Sequence, residues 1–135
     1  MAVDPTIVRE WLAKAEEDFK FALVNLREKK PFAAQICFHF HQAAEKCLKA
    51  YIVTHDLEFR KIHDLTLLLA TCTLHEPAAA CLQEACEYLN TFYVEARYPV
   101  HWPTHFTLDE AERAHQAAAR IKVWVEERLR SFPSA

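Results

Sequence analysis

Arg97 is the only formally charged residue between Ala96 and Leu108, and it is followed by His101 and His105 in a stretch that also holds Pro99 and Pro103. The two prolines restrain the backbone without secondary structure. One guanidinium, two imidazoles and the rings of Tyr98, Trp102 and Phe106 are thereby confined to a short segment. Two chemistries suit these residue types. The arginine can hold a phosphate while a ring stacks on a base. Alternatively it can stabilise a charged phosphorane while His101 moves protons to and from a 2′-hydroxyl. A structural reading stands beside them: the three rings cover the end of a helical bundle, and Arg97 caps carbonyls or pairs with a carboxylate.

A second polar series, Gln35, His39, Gln42, Lys46 and Lys49, recurs at helical spacing upstream. It reads either as a solvated helix face or, through Lys46 and Lys49, as added cation for a phosphate held near Arg97. Cys37, His41 and Glu45 stand at steps of four, with His39 beside them. A metal hydrolase built there is the weaker alternative, because any residues so spaced share a helical face and Cys37 is needed for packing. The other cysteines, Cys47, Cys72, Cys81 and Cys86, show no Cys-x-x-Cys spacing and read as small packed hydrophobes. An odd cysteine count without a secretory apolar segment points to reduced thiols and a cytoplasmic protein. No metal and no cofactor is expected.

Composition narrows the remaining classes. The net charge is −3, so no global field draws the chain to nucleic acid, and any anionic partner needs a local cluster. The chain has no glycine, which excludes a Walker loop, a dinucleotide-binding turn and a nucleophile elbow. No apolar run is long enough to span a membrane. At 135 residues the chain is expected to fold as one domain over 1–135.

The elements that must position these residues are all helical. Asp4 and Pro5 open the first, with Val8, Leu12, Ala15, Phe19, Ala22 and Leu26 inward and Glu10–Lys14 and Glu16–Lys20 as outer pairs. The second runs from about Phe32 to Val53, with Ile36, Phe40, Ala43, Cys47 and Ala50 inward. A shorter helix follows His63-Asp64-Leu65 to about Cys72. Pro77 opens a fourth segment with Ala78, Leu82, Ala85, Leu89, Phe92 and Ala96 inward, ending near Arg97 because Pro99 disfavours helical geometry at Tyr98. Thr107 and Glu110 form a capping box for the last helix, whose apolar face is Ala111, Ala114, Ala118, Ile121, Val125 and Leu129. Arg128 and Arg130 suit its C-terminal dipole. The expected fold is all-α: an antiparallel up-and-down bundle of four long helices plus one short helix.

Four segments, "WLAKAEEDFKFAL", "FHFHQAAEKCLKAYIV", "HDLTLLL" and "YVEARYPVHW", in this order, resemble the HEPN family, named for higher eukaryotes and prokaryotes nucleotide-binding. The most specific parts are Gln42 to Lys46 and the Arg-Tyr-Pro of Arg97 to Pro99. The resemblance spans Trp11 to Glu127. It implies a bundle that pairs as a homodimer, binds nucleotide or RNA, and works with a small nucleotidyltransferase-fold partner in a toxin–antitoxin or regulatory pair. Many members are metal-independent ribonucleases with an arginine and a histidine a few residues apart. Here three residues separate Arg97 from His101 and seven separate it from His105, one spacing too short and the other too long. Nucleotide binding through Arg97, Tyr98, His105, Lys46 and Lys49 is therefore ranked above cleavage by Arg97 and His101. Tyr88 and Tyr93, flanking the main stripe of the fourth helix, are candidates for the dimer interface.

Overall fold

Helix α1 (Pro5–Arg27) starts where the Asp4 carboxylate accepts the Thr6 amide at 2.9 Å, with Pro5 in the first turn where its missing N–H is harmless. The structure, a computed structural model, describes residues 3–97 and 106–130, the side chains of 94–97 excepted. Four further α-helices follow: α2 (Ala33–Thr54), α3 (Leu65–His75), α4 (Gln83–Arg97) and α5 (Leu108–Leu129). Among the described residues there is no strand.

The absence of glycine has a local consequence at two helix ends. Lys29 and Asp56 both take the left-handed conformation, φ 54° and 52°, that usually falls to glycine after a helix. Each is followed by a closing bond: the Lys30 amide donates to Asn25 and the Leu57 amide to Ile52, both at 3.0 Å. Chain reversal is achieved there at some backbone cost.

Packing levels give the helix directions. Phe19 of α1 meets Phe40 of α2 edge-on at 5.5 Å, and Phe40 lies 5.5 Å from His115 of α5. Further along α2, Tyr51 sits 5.3 Å from Trp124 of α5, so α2 and α5 run the same way. Phe38 stacks on Tyr93 near the end of α4, while the Tyr51 hydroxyl donates to Glu76, just before α4 begins. Hence α4 opposes α2, and the four long helices alternate up and down with the short α3 beside α2 and α4. Helix α2 touches every other α-helix and is correspondingly the most buried. Phe40 is fully enclosed where α1, α2 and α5 meet, and its truncation to alanine would cost about 3–5 kcal/mol.

Several expectations are met and several need correction. Val8, Ala15, Phe19, Ala22 and Leu26 are buried, and so is the whole predicted apolar face of α5. The capping box is present in both directions, Glu110 amide to Thr107 at 3.1 Å and Thr107 amide to Glu110 at 3.0 Å. Ala78 is exposed and Ala79 buried in its place, because Pro77–Leu82 winds as a 3-10 turn in which Ala79 and Leu82, three apart, share an edge. Cys81 lies on the exposed side of that turn, whereas the other four cysteines are packed. Glu16 crosses to Lys122 of α5 at 3.1 Å. Arg128 lies over the Trp124 ring at 3.8 Å and donates to Glu76 at 2.8 Å, so a carboxylate is its main partner. The α2 polar series is not a solvated face: Gln35 is exposed, His39, Gln42 and Lys46 are half-buried, and Lys49 is buried. Neighbouring elements supply the partners that allow it.

Candidate functional site

The middle of α2 carries a charged pair inside the bundle. Lys49 donates to Glu45 at 2.9 Å across one helical turn, and the two side chains are 6% and 5% exposed. The same Glu45 carboxylate accepts from His63 Nδ1 at 2.9 Å and 3.1 Å. A carboxylate only accepts, so Nδ1 carries the proton, and Nε2 makes no hydrogen bond among the described residues. His63 is 46% exposed. Its ring is backed by Tyr93 of α4, centroids 4.9 Å apart and nearly parallel. The Lys49 ammonium also lies 5.8 Å from the rings of Trp11 and Phe59.

The start of α3 is bolted to α4 beside this group. Asp64 accepts the Thr66 amide at 2.9 Å and the Leu67 amide at 3.3 Å, which caps the helix. Asn90 of α4 donates to Asp64 at 2.8 Å and accepts the Leu65 amide at 2.9 Å. Burial by itself would raise the Asp64 carboxyl, but its bonds from Thr66, Asn90 and the Leu67 amide outweigh that and hold it below the usual range. His41 completes the cluster from α2, fully buried and 5.3 Å from Tyr93. Its Nδ1 bonds Gln42 at 3.1 Å, while Nε2 has no hydrogen-bond partner among the described residues. Burial pushes His41 below the ordinary histidine range, more than its contacts with Gln42, Glu45, the His63 backbone and Asn90 raise it. It is neutral near pH 7.

A second polar group lies on the α1 side. Asp18 accepts from His39 Nδ1 at 3.0 Å and from Lys46. Burial opposes its charge, but these two partners more than compensate and lower its carboxyl below the usual range.

The predicted site residues are divided by this arrangement. Arg97 is the last residue of α4, one turn beyond Tyr93; its side chain, like Tyr98, His101, Trp102 and His105, lies outside the described residues. Lys46 is 24% exposed and committed to Asp18, and Lys49 is committed to Glu45. Both sit further down α2 than Phe38 and His41, the residues level with Tyr93, Lys49 by about 12 Å of helix rise or more. The alternative ligand set is scattered. Cys37 is a buried thiol pushed up to about 12, His39 turns to Asp18, His41 to Gln42, and Glu45 to Lys49 and His63. Among the described residues no group of three or more His, Cys, Asp or Glu side chains is arranged to hold a metal ion. What sequence reasoning missed is the group Glu45, His63 and Asn90. A Glu–Lys pair one turn apart, flanked by Ala43, Ala44, Cys47, Leu48 and Ala50, was the available signal.

Comparison with known proteins agrees with this architecture. No curated protein matches the chain. The crystal structure of TT1696 from Thermus thermophilus superposes with a TM-score of 0.81 at 31% identity, covering 90% of this chain and 98% of that one. That of ST0689, described as an archaeal HEPN homologue, gives 0.73 at 24% identity, covering 90% and 97%. The family model for the HEPN domain matches residues 8–128, nearly the whole bundle including α4 and the polar centre of α2, and the chain belongs to the HEPN domain family.

Proposed function

We propose that this protein is a nucleotide- or RNA-binding HEPN module that receives a ligand phosphate at the Arg97 end of α4. The observation that carries the reading is the coincidence of the Arg97 helix end with the Tyr93–His63–Glu45 group, one turn away, in a chain of this family. A helix end is a rigid base for a guanidinium, and the aromatic faces beside it suit a base. Tyr98 and His105 extend the contact along the segment that follows. Lys46, paired with Asp18 on the α1 side, lies away from this contact. Lys49, enclosed and paired, acts through Glu45 and not on the phosphate itself. In this reading the protein works in the cytoplasm as a homodimer with a small nucleotidyltransferase-fold partner, in a toxin–antitoxin or regulatory pair.

Arg97→Ala tests the reading. A substitution at a helix end is expected to cost under about 1 kcal/mol of stability, while loss of a charge-assisted phosphate contact weakens nucleotide or RNA binding by about tenfold or more. Thermal unfolding and fluorescence titration measure the two effects. Unchanged binding with a lowered melting temperature would make the segment a bundle lid. RNA cleavage in excess chelator, abolished by His101→Ala with binding intact, would replace the binding module by a metal-independent ribonuclease using Arg97 and His101.

A further inference from the structure

We infer that His63, in its protonated form, makes a direct contact with the phosphate of the bound nucleotide or RNA, and that Glu45 is its positioning residue. The inference rests on the phosphate-binding reading above and adds to it a residue and a pH dependence. Its basis is that the buried pair reaches the surface through His63. Glu45 and Lys49 are almost wholly enclosed, yet the third member of their group, His63, is 46% exposed. A buried Glu–Lys pair contributes little to stability, because desolvation offsets most of the attraction. It does hold the His63 ring in one orientation: two carboxylate contacts fix Nδ1, Tyr93 fixes the plane, and the Nε2 edge is left to interact with a ligand.

The charge balance favours an anion there. Lys49 already neutralises Glu45, so a proton on His63 gives the trio a net positive charge with its exposed part on the imidazolium. Among the described residues the other titratable groups beside the ring are His41 on α2, Tyr93 on α4 and the adjacent Asp64. His41 is kept neutral by burial, and the Asp64 charge is engaged by Thr66, the Leu67 amide and Asn90. Arg60 and Lys61 precede His63 in the same exposed connector, and among the described residues neither is held by a carboxylate. They add the salt-dependent attraction that a chain of net charge −3 otherwise lacks.

The sign of the pH effect follows. An anion binds an imidazolium and not a neutral imidazole, and histidine in peptides loses that proton across about pH 5.5 to 7.5, so affinity is expected to be highest at acid pH and to fall as pH rises. The experiment uses the full chain with two probes, adenosine monophosphate and a short fluorescein-labelled single-stranded RNA of mixed sequence. Titrations are made at about pH 5.5, 7 and 8.5, which bracket that range. RNA phosphodiesters do not titrate across it, so the pH dependence of RNA binding reports on the protein. His63→Gln is expected to bind RNA about tenfold more weakly at the acid end and to lose most of the pH dependence. Glu45→Gln is expected to weaken RNA binding at about pH 5.5 and to leave it unchanged at about pH 8.5, because the carboxylate that fixes the ring by two contacts is gone. Should that variant fold poorly with Lys49 left alone, Glu45→Gln combined with Lys49→Met removes both charges and carries the same prediction. Loss with both probes shows that a mononucleotide phosphate is enough for the contact, and loss with RNA alone assigns it to an internal phosphodiester; either supports the inference. Wild-type affinity and pH dependence in His63→Gln overturn it, and if Arg97→Ala abolishes binding in the same assays the phosphate-binding reading still stands. No binding of either probe by the wild-type chain removes both.

Discussion

His41 is fully buried, with Gln42 on one ring nitrogen and no hydrogen-bond partner on the other among the described residues, which makes it sensitive to pH in a predictable direction. Burial depresses its folded pKa, so between that value and the unfolded value near 6.5 the unfolded chain binds more protons than the folded one. The stability it allows is complete above about pH 6.5 and is lost as pH falls below it. His41→Leu should flatten the decline in melting temperature between about pH 7 and 5, with neutral-pH stability within about 1 kcal/mol of wild type, since the lone nitrogen goes as well. An undiminished decline would place the sensitivity elsewhere. Asp18 acts lower on the scale. Its depressed carboxyl contributes stability above the ordinary value of 3.8 that is lost as pH falls through the folded value, and Asp18→Asn should remove that acid loss. At neutral pH the same change should cost about 1 kcal/mol or less, because Lys46 and His39 are both partly in water.

Among the elements, the ends of α1 and α5 give opposite tests. Lys29 holds a left-handed conformation that costs a side chain with Cβ about 1 kcal/mol, so Lys29→Gly should raise stability by up to about that amount in urea unfolding. A loss of stability would mean that the Lys29 side chain makes contacts that outweigh the backbone cost. Thr107→Ala breaks the capping box and should cost about 1 kcal/mol, consistent with loss of the N-cap acceptor for the Glu110 amide. The Asp4 and Thr107 caps were readable in advance, because a cap and its amide are neighbours in the chain. The fourth segment shows the limit. Ala78 and Ala79 are equally good core residues, and only the choice of a 3-10 turn after Pro77 decided which one is buried.

At the level of the assembled molecule, the proposed homodimer has a physical motive in α3. That helix is apolar on every side, yet Leu67 and Leu74 are exposed, Leu74 to 89%. An all-round apolar helix normally lies buried. We expect light scattering to give twice the chain mass at micromolar concentration and Leu74→Glu to shift it to a monomer; a wild-type monomer would remove the dimer. Tyr88 and Tyr93 are engaged within the chain, Tyr88 through its bond to the Glu110 carbonyl and the Arg113 guanidinium 4.4 Å over its ring, and Tyr93 through His63, His41 and Phe38. None of the helices over the described residues is long and apolar enough to cross a membrane. The single domain expected from length should unfold in one transition by circular dichroism and by tryptophan fluorescence alike.

Helix positions, two of the caps and most inward faces could be read from residue order, because each depends on neighbours a few positions apart and on a period of 3.6 residues, whereas the family was legible only through the resemblance of whole segments. The polar centre could not. Glu45 meets His63 across 18 positions, Lys46 meets Asp18 across 28, and Asn90 meets Asp64 across 26. Nothing in the spacing of such residues states that they touch. Which polar residue of α2 stays in water and which is enclosed depends on how α1 is rotated, where the 55–64 connector returns, and where α4 lies against α2. Periodicity gives a helix two faces; the third dimension decides what each face meets, and it turned an apparently solvated lysine, Lys49, into the buried support of a half-exposed histidine.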